Sequence, residues 1–128
     1  MILAVQESPN DGAAVYYLPY PTGSVANIAV TVTGGTTHFV SVYSVYNTEA
    51  APVTADGGQG SAVVNALIDD IIIACNHRRS ASSTTWVGVT LDAGYSYGGY
   101  ASCASIKRTS PVTNVTNSGG DTAAVVFR

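Results

Sequence analysis

Charge is what this chain has least of. Lys, Arg, Asp and Glu make up 10% of its 128 residues, against about 25% in an ordinary soluble domain. The cations are Arg78, Arg79, Lys107, Arg108 and Arg128. The anions are Glu7, Asp11, Glu49, Asp56, Asp69, Asp70, Asp92 and Asp121. A net charge of −3, with basic residues clustered only at Arg78-Arg79 and Lys107-Arg108, leaves no stripe for a phosphate backbone. Nucleic acid is therefore not an expected partner. So few charges also imply that neighbouring protein covers much of the surface.

Other absences narrow the class further. Two cysteines, Cys75 and Cys103, are too few for a disulfide scaffold. Pairing is open to them, but the preferred reading is two small buried hydrophobes. Long apolar runs are missing too: nothing approaches the roughly 20 residues of a membrane helix. The stretch Met1-Ile2-Leu3-Ala4-Val5 is too short for a signal h-region and lacks a basic start. Synthesis in a cytosol without export by the general route is the expectation, which makes the glycosylation pattern Asn114-Val115-Thr116 a chance match.

Catalytic patterns are equally scarce. There is no Gly-x-Ser-x-Gly elbow, and only His38 and His77 could serve as a base. Cys75-Asn76-His77 is the only ligand-like spacing, and a zinc site needs three or four converging ligands. Asp56-Gly57-Gly58-Gln59-Gly60 lacks the Lys of a phosphate loop, and Asp56 would repel an anion there. Asp69 and Asp70 are adjacent and do not face each other as a catalytic pair would. No enzyme activity, cofactor or metal is expected.

What fills the chain instead is Val, Ala, Thr, Ser, Gly and Tyr, the residues of strands and turns. A hydrophobic fraction of 46% is normal for a folded protein, and the length suits one domain, 1–128. Ile2–Gln6 and Ala13–Leu18 read as short strands separated by the turn formers Ser8-Pro9-Asn10-Asp11-Gly12. Val25–Thr33 alternates with period 2, and Gly34-Gly35 suits a two-residue hairpin turn. The return strand Thr36–Tyr46 is apolar or aromatic on both faces over part of its length. Either it is covered on both sides, or one face is buried and the other lies against a partner.

Asn47–Gly60 reads as a loop ending in the flexible-looking Asp56–Gly60 run. Val64, Leu67, Ile68, Ile71, Ile72 and Cys75 recur at helical spacing and predict an α-helix over 61–76. A strand at Asp70–Cys75 is the rival, because Ile71-Ile72-Ile73 is β-branched. Thr84–Leu91, Tyr95–Ile106, Pro111–Thr116 and Thr122–Phe127 read as strands, with Ser118-Gly119-Gly120-Asp121 as a turn. The expected fold is mainly β: an antiparallel β-sandwich or barrel, jelly-roll-like, with one helix near 61–76.

Eight tyrosines supply the remaining signal. Tyr43, Tyr46, Tyr95, Tyr97 and Tyr100 are the interface candidates, because Tyr joins apolar area to a polar tip. In composition, though not through any motif, the chain is similar to small coat, decoration or tail proteins of tailed phages. That similarity implies a structural virion protein, made in the host cytoplasm. The first expectation is a capsid decoration (cement) protein that forms a closed homo-oligomer, a trimer by preference. Its partners are copies of itself and the major capsid protein or another virion subunit, with no membrane and no nucleic acid. A tail-tube ring is the second expectation, because that fold pairs a β-barrel with one flanking helix. A carbohydrate-binding module using Trp86, Tyr97 and Tyr100 as ring platforms is the third.

Overall fold

The computed structural model describes residues 1–7, 12–19, 28–29, 31, 39–78, 84–95 and 101–128, with the backbone alone for 93–95. Eight strands follow in order: β1 (Ile2–Glu7), β2 (Ala13–Tyr17), β3 (Thr54–Ala66), β4 (Ile71–His77), β5 (Trp86–Val87), β6 (Thr90–Tyr95), β7 (Ala101–Lys107) and β8 (Val112–Phe127). β1 and β2 form an antiparallel hairpin. The other six form one antiparallel sheet in the order β3-β8-β4-β7-β6, with β5 pairing to β8 off that path. Among the described residues the sheet is open rather than closed into a barrel. The Gly34-Gly35 turn, most of the 25–38 region and the Gly98-Gly99 bend lie outside the described residues.

No helix occurs among the described residues, so the helix over 61–76 is corrected. That stretch is the end of β3, a tight turn at 67–70, and β4. Along β3, Ala62, Val64 and Ala66 are buried while Ser61, Val63 and Asn65 are exposed, which is the period of a strand. β4 is apolar on both faces because both are covered. Ile72 and Ala74 face one core cluster, and Ile71 and Ile73 the other. A strand buried on both sides loses its alternation, and its apolar positions then satisfy helical spacing by accident. Left-handed backbone at Asn65 (φ 44°) and Asp69 (φ 70°) also excludes a continuous helix.

A second correction concerns the glycine-rich segments. Asp56–Gly60, expected as loop, lies within β3, and Ser118–Asp121, expected as turn, lies within β8. The two strands pair along nearly their whole length, from Thr54↔Val126 to Ala66↔Val112, with the register shifted between Val63 and Ala66 and broken more widely between Gln59 and Ser61. At that break Gly60 (φ +72°) and Gly120 (φ +97°) adopt backbone that side-chain-bearing residues rarely take. A Cβ on Gly120 would also collide with the His77 carbonyl. The break acts as a corner. Beyond it, Ala62, Val64 and Val115 share one buried cluster with Ile72, Ala74, Ala104, Ala124 and Val126 of the strands before it.

The opposite face of the main sheet carries Ile73, Val125 and Phe127. Ala4, Val5, Val15 and Tyr17 of the hairpin and Tyr43 and Val45 of the 39–46 segment pack onto them. The 39–46 segment was expected to be the end of a strand; its described residues are extended but carry no strand assignment. Thr84–Leu91 divides into β5 and β6 around Gly88 (φ +90°). Trp86 and Val89 therefore pack with the core while Val87 is exposed.

Candidate functional site

Several of the scarce charges bond to other parts of the fold. Asp70 is buried in the β3–β4 turn, where its carboxylate accepts hydrogen bonds from the Leu67 N–H (2.9 Å) and from the Arg128 guanidinium. Arg128 holds the Asp70 carboxyl below the ordinary carboxylate range, with the Leu67 N–H adding to the effect. Arg108 donates to the carbonyls of Gly88 (3.1 Å) and Ser110 (2.9 Å), fastening the bend between β5 and β6 to the end of β7. Asp56 accepts from the Val63 N–H across the β3 corner at 2.7 Å. Arg78 donates to the Ser118 hydroxyl at 3.1 Å. Each of these groups fixes a turn or corner, which is a use of charge that leaves the broad faces bare.

Two outward faces are bare of charge in this way. Along 39–46 the burial alternates: Phe39, Ser41, Tyr43 and Val45 are partly buried, whereas Val40, Val42, Ser44 and Tyr46 are exposed. Val42 is 63% and Tyr46 77% exposed. On the hairpin, Leu3 and Tyr16 are cross-strand partners and both are exposed, with Ile2 and Leu18 beside them. Isolated exposed apolar residues are ordinary; a run of them on one segment, without a charge between, is the pattern of a covered surface.

The five tyrosine candidates are placed differently from one another. Tyr46 belongs to this outward row. Tyr43 points inward, packs on the second core cluster, and donates its hydroxyl to Asp92 at 3.0 Å. Burial, then the bond to Asp92, pushes its phenol well above the ordinary range. Tyr95 lies on β6 by its backbone, and Tyr97 and Tyr100 lie outside the described residues. Val40, Val42, Leu3 and Tyr16 stand outside the five interface candidates of the sequence. The signal that could have found two of them was the two-sided apolar character of the 36–46 run.

A polar row occupies the core side of the corner. Asn76 on β4 stands opposite Ser102 on β7 and Thr122 on β8. Trp86 donates its indole N–H to Ser102 (3.0 Å), Ser102 donates to Asn76 Oδ1 (2.6 Å), and Asn76 Nδ2 donates to the Gly119 carbonyl (3.2 Å). Asn117 Nδ2 donates to the Thr122 hydroxyl. The chain of bonds ties both sides of the core together, and the polar edge of Trp86 is committed to it. His77 and Cys75 share the other face of β4, and no cluster of three metal-ligating side chains occurs among the described residues.

No protein-family model, curated protein or solved structure matches the chain.

Proposed function

We propose that the chain is a structural virion subunit of the capsid-decoration kind. In this reading it is a single 1–128 jelly-roll-like sandwich that forms a closed homo-oligomer, a trimer by preference, on a capsid lattice. The observation that supports it best is the outward row Val40, Val42 and Tyr46, an exposed apolar run without charge. Asp56, Asp70, Arg78, Arg108 and Arg128 fasten turns and corners, and this row carries no charge, which suits it to association rather than to staying apart. The mainly antiparallel β architecture is compatible with such a subunit, whose function is to be rigid and to be covered.

Each of the two other expectations loses one of the features that recommended it, while Tyr97 and Tyr100 of the sugar-platform reading lie outside the described residues. The tail-tube reading rested on a flanking helix, and 61–76 is strand and turn. The sugar-platform reading relied partly on Trp86, whose ring packs against the core and whose N–H is bonded to Ser102.

Multi-angle light scattering on the purified chain over a concentration series tests the proposal. A single closed oligomer of fixed stoichiometry is expected. A monomer at every concentration, with no binding to capsid shells lacking decoration protein, overturns it.

A further inference from the structure

β5, β6 and their connections separate Cys75 from Cys103 in sequence, yet the two are direct register partners within the β4–β7 ladder, one step from its middle pair Ala74↔Ala104. Direct partners in an antiparallel pair have Cα atoms about 4.5 or 5.5 Å apart, depending on whether the pair is hydrogen-bonded. Both spacings lie inside the range a disulfide spans, about 4.4–6.8 Å. The shared register also puts both side chains on one face of the sheet. Their neighbours in the same row are Ala123 on β8 and the backbone of residue 93 on β6. Both thiols are free.

We propose that Cys75 and Cys103 are an oxidative modification site, closing to a cross-strand disulfide by exchange with an external disulfide such as oxidised glutathione. One cysteine thiolate attacks a sulfur of the oxidant, forms a mixed disulfide and expels one glutathione thiolate. The second cysteine thiolate attacks the protein-bound sulfur and expels the other. Two thiols and one external disulfide thus become one protein disulfide and two glutathione thiols, which take up the two protons.

The surroundings decide when this happens. The Cys75 Sγ donates to the Ala14 carbonyl at 3.5 Å, so β2 lies directly over it. Ser41 hydrogen-bonds Cys103, and Tyr43 and Asp92 stand beside the pair. Burial pushes the Cys75 thiol up to about 12 and raises that of Cys103 as well. Thiolate is therefore scarce while the hairpin and the 39–46 segment are seated, and exchange is slow until they lift. This inference does not depend on the assembly reading.

The test uses the unmodified chain. Reduced, folded protein is incubated with oxidised glutathione at mildly alkaline pH, quenched with an alkylating agent and mapped by mass spectrometry. The expected product has lost two hydrogens and yields a peptide pair joined through Cys75 and Cys103. It forms on the order of tenfold faster in urea below the unfolding midpoint, where the cover opens. Its Tm is higher than that of the reduced chain, by on the order of 10 °C. Recovery of both thiols alkylated after exposure in that urea concentration, or of stable single glutathione adducts without the joined peptides, overturns the proposal. So does a joined product that forms only between two chains.

Discussion

Arg128 and Asp70 meet through two parallel hydrogen bonds, Nε to Oδ1 at 3.1 Å and Nη2 to Oδ2 at 2.9 Å, across 58 positions of sequence. The pair fastens the end of β8 to the turn between β3 and β4. That turn is also held to β7 by Asp69 N–H to the Arg108 carbonyl and Arg108 N–H to the Asp70 carbonyl. Such two-point geometry is what a guanidinium offers and an ammonium does not.

The pair makes stability depend on pH. The Asp70 carboxyl titrates lower in the folded chain than in the unfolded one, so the unfolded state binds the proton more readily. The stabilisation is complete above the ordinary carboxylate range, from about pH 5 upward, and is lost as pH falls through the folded value. Asp70→Asn is expected to lower the urea midpoint at pH 7 and to narrow its distance from wild type as pH drops toward 2. Parallel urea curves for the two proteins over that range check it; a constant gap excludes the ion pair as the cause.

Gly120→Ala is expected to be among the most damaging single changes. It places a Cβ against the His77 carbonyl at a positive φ, and strain of both kinds costs about 2–4 kcal/mol. Urea unfolding monitored through Trp86 fluorescence gives the number. A cost below about 0.5 kcal/mol, the scale of ordinary surface changes, would show that the corner is not formed as described.

The same corner shows how far the sequence could be read. The β class, the places of β1 and β2 to within one residue at their ends, and the closing run 122–127 followed from local alternation and turn residues. The corner did not, because glycine in a turn and glycine where two paired strands bend have the same local signature. Only the partner strand distinguishes them: Gly60 lies opposite the break in β8, more than fifty residues away. The helix over 61–76 failed for a related reason. Ile71, Ile72 and Ile73 are all apolar because β4 has a core on each side, and which sides are covered is decided by segments remote in sequence. The β-branched character of these three residues was the local clue, and it pointed the right way. For the outer row the legible part was that both faces of 36–46 are apolar; which face looks outward required the fold.

Asn76→Ala removes the middle of the buried polar chain. Ser102 then lacks the acceptor for its hydroxyl, and the Gly119 carbonyl loses its side-chain donor. Leaving buried polar groups unsatisfied costs about 1–3 kcal/mol. The double variant Asn76→Ala with Ser102→Ala is expected to cost less than the sum of the single changes, since it removes both partners. A double-variant cycle by urea denaturation measures that coupling; additive costs would mean the two side chains act independently.

Val42→Lys tests the outer row. Val42 is 63% exposed, so the change is expected to alter folding stability by no more than about 0.5 kcal/mol, while a charge placed in the middle of an apolar contact weakens association by tenfold or more. Sedimentation velocity reads the association and urea unfolding the stability. Unchanged association would remove this face from the proposed interface.

β8 follows the other described strands in sequence, and it sits between β3 and β4. On a ribosome, β1 with β2, and β4, β6 and β7 with one another, can pair as they emerge. The ladders that join β3 to β4 wait for residues 112–127. Until then β3 carries its buried row Ala62, Val64 and Ala66 without its neighbour. The nascent chain therefore carries the 13-residue, weakly charged β3 unpaired, and one late insertion closes both sides of the core together. Crowding by sister chains is most hazardous in that interval, while the row Ala62, Val64 and Ala66 still lacks the strand that covers its edge.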